Sequence, residues 1–232
     1  MGTMTHVKEY HTDTASRLNW LRAGVLGAND GIVSISCMLL GVVAAGASSG
    51  STIFLIGMAA TLAGAVSMAL GEYVSVSAQR DTERRLIALE EKELAELPHE
   101  EFAEMVGILT SYGIDEHTAA QATQQMHNAN PLHAHVRLEL GIDPQDLTNP
   151  WVAAFSSALA FIAGASLPLL AAVRFGPGVV TVITLVALAI TGVISAKLSD
   201  TTPLRPVARL VIGGALGLAI TFSLGFFFGI EA

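Results

Sequence analysis

The stretch GANDGIVSISCMLLGVVAAG, Gly27 to Gly46, is apolar or small nearly throughout. As a helix it would be about 30 Å long, close to the thickness of a bilayer's hydrocarbon core. Asn29-Asp30 stands near its front edge. An unpaired carboxylate in lipid is costly and usually marks an ion or proton pathway. The acid therefore either caps a shorter helix starting at Gly31 or has a counterpart at the same depth.

Composition extends the membrane reading to the whole chain. Of 232 residues, 52% are hydrophobic and only 14% charged, and the mean hydropathy is +0.56. A soluble domain of this size seldom carries so little charge. Five stretches are long enough to span: 21–47, 51–79, 150–173, 176–197 and 206–230. The expected fold is all-α, a polytopic membrane protein with five transmembrane helices and a cytoplasmic helical insertion between the second and third spans. The first stretch is too long for a signal peptide and lacks a cleavage site, so it counts as a span. Cys37 is the single cysteine, which excludes an internal disulfide.

Basic residues set the expected orientation. With the N-terminus inside, eleven of the twelve Lys and Arg fall on the cytoplasmic side and only Arg174 outside. Trp20 and Trp151 then lie at cytoplasmic ends of spans, and Glu231-Ala232 on the far side. The expected divisions are a loose cytoplasmic arm (1–20), spans one and two (21–79), an acidic insertion (80–149) and spans three to five (150–232).

The insertion holds fourteen of the twenty acids and five of the seven histidines, against five Lys or Arg. Such acid density suits a cation partner, not nucleic acid or anionic lipid. RDTERRLIALEEKELAEL has strong helix formers and no breaker, so it is expected to continue the second span. Pro98 starts a new helix that ends near Gly113, and Asp115 is placed to cap the next. Glu90 and Glu93 form one E-x-x-E pair, Glu101 and Glu104 another, and Glu139 follows His135 by four residues. Residues three or four apart share a helix face, so two antiparallel helices could present four carboxylates to one cavity, closed by His135 and Glu139. Oxygen-rich clusters with an imidazole bind Fe²⁺, Mn²⁺ or Zn²⁺; a solvated acidic face is the competing reading. His99, His117, His127 and His133 read individually as surface residues.

Inside the spans, Asp30 lies eight residues past Arg22 and Glu72 eight before Arg80. Eight residues are about 12 Å of helix, so both acids are expected at one depth on adjacent antiparallel spans. Met68 lies one turn from Glu72, and Asn29 adds an amide beside Asp30. A carboxylate pair with a thioether suits a transition metal better than Na⁺ or Mg²⁺. Small residues recur at Gly57, Gly64 and Gly71, at Ser156, Ala160 and Gly164, and in Gly213-xxx-Gly217 and Gly225-xxx-Gly229. This spacing favours close helix approach.

These motifs together resemble the vacuolar iron transporter family over nearly the full chain. The matching pieces are GANDGIVS, SMALGEYVSVSAQRD, the two E-x-x-E pairs and the ELG at Glu139. The resemblance implies a five-span homodimer moving Fe²⁺, and often Mn²⁺ or related ions, out of the cytosol in exchange for protons. It places Asp30, Met68 and Glu72 on the path and Glu90, Glu93, Glu101, Glu104 and Glu139 in a cytoplasmic capture domain. Plant members often carry a Met pair where this chain has His135 and Val136, so the donor set here is less soft.

No nucleophile–base dyad or phosphate-binding loop is present, so neither an enzyme nor an ATP-driven pump is expected. A membrane-anchored di-iron protein or metal sensor is the alternative of a different class. A di-iron oxidase should show paired E-x-x-H motifs on facing helices, and the insertion offers no such pair. A sensor would not need acids in the membrane. The short N-terminal arm, without sorting features, leans toward a prokaryotic plasma membrane over a vacuolar one.

Overall fold

The computed structural model describes residues 6–144 and 147–229, with side chains from Trp20 onward. Among these residues the regular structure is helical: α1 (His6–Ala44), α2 (Gly50–Glu96), α3 (Pro98–Ser111), α4 (Glu116–Ala129), α5 (Pro131–Leu138), α6 (Pro150–Arg174), α7 (Pro177–Leu198) and α8 (Leu204–Phe228). Five are long and apolar enough to cross a membrane: Trp20–Ala44 within α1, then α2, α6, α7 and α8. This matches the five expected spans. Residues 6–20, read from composition as a loose arm, belong to α1. Helix α2 runs unbroken for 47 residues, because no Gly or Pro follows Gly71 until Pro98. Glu231 and Ala232 lie outside the described residues.

The chain forms two compact units, Leu18–Val74 with Pro150–Ala232, and Met1–Arg17 with Ser75–Asn149. In the first, the membrane unit, the core joins Ile35, Leu39 and Leu40 of α1 to Ile53 and Ala65 of α2, Phe161, Ala165 and Leu169 of α6, Val180 of α7 and Leu218 of α8. Its outer faces expose Leu55, Leu70, Phe155, Leu167 and Leu216, as expected where the solvent is lipid. Ser36 of α1 and Thr184 of α7, both buried, share a 2.8 Å hydrogen bond.

Glycines let α1 and α6 meet backbone to backbone. A Cβ on Gly27 would collide with the carbonyl of Ser157, one on Gly31 with that of Phe161, and one on Gly164 with that of Ala28. Without hydrophobic drive between helices in lipid, such contact is a main source of association. Of the seven-residue series, Gly57 packs on Leu169 and Gly64 on the Phe161 ring, whereas Gly71 has open space beside it. Gly31→Ala is therefore expected to destabilise the unit by about 1–3 kcal/mol through overpacking. Gly71→Ala should be near neutral. Thermal unfolding in detergent compares them; equal melting temperatures would contradict the close α1–α6 approach.

In the second, acidic unit, the helix boundaries follow local chemistry. Pro98 sits in the first turn of α3, and Asp115 caps α4 by accepting from the Thr118 N–H at 3.0 Å. Asn130 ends α4 and caps α5, accepting from the His133 N–H at 3.0 Å. Gly113 and Gly141 take φ of +88° and +65°, the left-handed region that glycine enters without strain. Buried Met105, Leu109, Ala119 and Val136 form the apolar part of this unit.

Candidate metal centre

Four side chains of the acidic unit converge. Glu90 comes from α2, Glu101 from the first turn of α3, His135 from the last turn of α5, and Glu139 from its C-cap. One potential ligand atom from each lies within 4.8 Å of all the others. His135 Nδ1 is the hub, 3.0 Å from Glu90 Oε1, 3.5 Å from Glu101 Oε2 and 3.6 Å from Glu139 Oε2. Glu90, Glu101 and His135 are buried.

Electrostatics at the cluster are unfavourable without a cation. Burial, reinforced by Glu139, Glu101 and Glu93, pushes the Glu90 carboxyl up to about 8. Burial with the charges of Glu104 and Glu93 also raises Glu101 and Glu139. Burial lowers His135 and so favours its neutral ring, against the opposing pull of Glu101 and Glu104. Glu90 Oε1 and His135 Nδ1, though 3.0 Å apart, make no aligned hydrogen bond. Two buried donor atoms ringed by carboxylates fit a divalent ion, which would use both and offset the repulsion. Three carboxylates and one imidazole form an oxygen–nitrogen set suited to Fe²⁺, Mn²⁺ or Zn²⁺.

The expected capture residues divide. Glu90, Glu101, Glu139 and His135 converge. Glu93 is half-buried and Glu104 exposed, outside the four-residue group but near enough to raise its carboxyls. His127, read as a surface residue, is partly buried: its Nε2 lies 3.0 Å from His135 Nε2 and its ring meets Phe102 edge-on. A sequence signal existed. Thr123 and Ala119, one and two turns before His127 on the same face, are buried.

In the membrane unit, Asp30 and Met68 line one cavity of about 210 Å³ with Ser34, Ser67 and Phe161. Ser34 donates to Asp30 Oδ1 at 2.9 Å. Glu72 is half-buried and is not among the lining residues. Neither acid has an ion-pair partner among the described residues. Asn29 lines a different cavity.

These features define a multi-pass membrane protein with a buried carboxylate–imidazole cluster and a membrane-embedded acid beside a thioether. The chain belongs to the VIT family, whose model matches residues 21–226. It is 36% identical to a vacuolar iron transporter of Acanthamoeba castellanii, over 94% of this chain and 82% of that one. It is 33% identical to vacuolar iron transporter homolog 2.1 of Arabidopsis thaliana, covering 99% and 91%. It is 37% identical to vacuolar iron transporter homolog 5 of Oryza sativa subsp. japonica, covering 91% and 82%. These relatives are named as transporters, not enzymes.

Proposed function

We propose that this protein moves Fe²⁺ out of the cytosol in exchange for protons, with its N-terminus and acidic unit on the cytosolic side. The buried three-carboxylate, one-imidazole cluster carries this reading, because its atoms are poorly satisfied without a cation. The placement of eleven of twelve basic residues on one side supports the orientation. The family resemblance supports a homodimer. The direction of transport serves a plasma membrane and a vacuolar membrane alike, since both face the cytosol.

In mechanism, Glu90, Glu101, Glu139 and His135 capture a hydrated ion, with Glu93 and Glu104 adding attraction from the rim. Capture displaces the proton held at Glu90, since carboxylate ligands bind metal deprotonated. The ion then sheds water onto Asp30 and Met68 in the membrane unit, with Glu72 one turn along α2 from Met68. Protons arriving from the far side compete for the same carboxylate oxygens and drive release outward. Purified protein in liposomes is expected to accumulate Fe²⁺ when a proton gradient is imposed, and no gradient-dependent flux would refute exchange.

His135 favours a second cargo. An imidazole stands where plant members often carry a thioether, so the set has only oxygen and nitrogen donors and discriminates less against Mn²⁺. Competition between Mn²⁺ and Fe²⁺ in the same flux assay separates the two cargoes.

The capture site also depends on His127. For Nδ1 of His135 to face the metal with its lone pair, Nε2 must carry the proton and donate to His127 Nε2. Loss of such an outer partner typically costs ~10–100-fold in metal affinity. His127→Leu is expected to weaken Co²⁺ binding within that range and alter the bound ion's visible spectrum, with His127→Gln restoring part of both. An unchanged spectrum and affinity would show that His127 does not orient His135.

A further inference from the structure

A second cavity in the membrane unit has chemistry opposite to that of the metal cluster. It measures about 730 Å³ and lies among α1, α7 and α8, with Arg22, Asn29 and Arg209 set in a largely apolar wall that includes Leu26, Leu198 and Leu210. No acidic side chain lines it. Neither arginine is ion-paired among the described residues. Both are exposed, each near the start of its membrane-spanning segment, at Trp20 and Leu204. Asn29 Oδ1 is buried with no hydrogen-bond partner, although buried polar groups nearly always have one.

Two free guanidinium groups repel a metal ion and attract an anion, and their planar forks match phosphate oxygens. A small free phosphate would satisfy them but leave the apolar wall uncovered. The occupant should therefore be anionic at one end and hydrocarbon at the other. Its volume lies within the usual range for ligand sites, about 300–1,000 Å³. Basic pockets between transmembrane helices are suited to anionic headgroups.

We propose that this cavity binds an anionic phospholipid, with Arg22 and Arg209 holding the phosphate. Leu26, Leu198 and Leu210 cover the glycerol and the first acyl carbons, and a headgroup hydroxyl donates to Asn29 Oδ1. The site is separate from the Asp30 cavity because consecutive residues on a helix point about 100° apart. It requires a membrane setting but no particular transported ion, so its test stands apart from the transport reading.

The test uses full-length protein, delipidated in detergent and incubated in turn with phosphatidylglycerol, phosphatidic acid, phosphatidylcholine and inorganic phosphate. Native mass spectrometry counts what each copy retains. One phosphatidylglycerol per copy is expected, above phosphatidic acid, with little phosphatidylcholine. Arg22→Gln with Arg209→Gln should lower retention by roughly thirty-fold, the sum expected for two basic residues at a lipid surface. Leu26→Trp, which keeps both charges, should lower it by filling the apolar part, and Arg174→Gln outside the cavity should not. Equal retention of phosphatidylcholine would overturn the proposal. So would full retention by both cavity variants, displacement of lipid by inorganic phosphate, or a Leu26→Cys variant that crosslinks two copies through this face.

Discussion

Asp30→Ala is expected to reduce metal flux in proteoliposomes by roughly a hundredfold or more while leaving the fold intact. Removing one partner of a desolvated charge pair costs about 2–5 kcal/mol, and each 1.36 kcal/mol is about tenfold in rate. The fold should tolerate the change because, among the described residues, the hydrogen-bond partner of this carboxylate is exposed Ser34. Glu72→Gln should have a smaller effect, since Glu72 is not among the residues lining the cavity that Asp30 and Met68 share. Met68→Leu should change the preference between Fe²⁺ and Mn²⁺ more than the maximal rate, because it removes only the soft donor. Tracer flux at fixed proton gradient, with melting temperature as the control, measures all three. Normal transport by Asp30→Ala would remove the cavity from the path.

The second large effect concerns pH and the capture cluster. Glu90 is held at about 8 in the folded protein against 4.5 ordinarily. Between those values the folded state keeps a proton that the unfolded chain releases. Stability of the metal-free acidic unit from this group therefore falls as pH rises from 4.5 through 8. His135 works in the other direction. Its folded value lies below 6.5, so the unfolded chain gains a proton first and stability is lost as pH falls below 6.5. The protection of α5 amides, corrected for the base-catalysed rise in intrinsic exchange, should accordingly fall from pH 6.5 to 8 in the metal-free protein. Added Mn²⁺ should raise it, with the greater gain at pH 8, where less proton must be displaced. Glu90→Gln should flatten the metal-free dependence and weaken Mn²⁺ binding by roughly a hundredfold, a loss of about 2–5 kcal/mol for an absent charged partner. A wild-type protein whose corrected α5 protection is constant or rises between pH 6.5 and 8 without metal would show that the cluster is not protonated.

Much of the candidate site was legible along the chain, but not its membership. The two E-x-x-E pairs identified the right helices, yet only the first glutamate of each joins His135 and Glu139. A step of three residues leaves side chains about 60° apart around a helix, so one member can face a buried point while the other sits at its rim. The His127–His135 contact was not legible, because it spans the Asn130–Pro131 break between α4 and α5. No helical period relates residues on separate helices.

The sequence by itself determined the five apolar spans, the acidic segment between the second and third, and the α3 and α4 boundaries at Pro98, Gly113 and Asp115. Each depends on local properties: hydropathy over a run, propensity, and hydrogen bonds a few residues away. The tertiary structure alone decided that Gly31 and Gly164 press α1 against α6 while Gly71 faces open space. It also set Asn29 and Asp30, neighbours in the chain, on separate cavities, and brought donors from α2, α3 and α5 around one imidazole. Those arrangements depend on which helix faces meet, and that is fixed by packing between residues far apart in the chain.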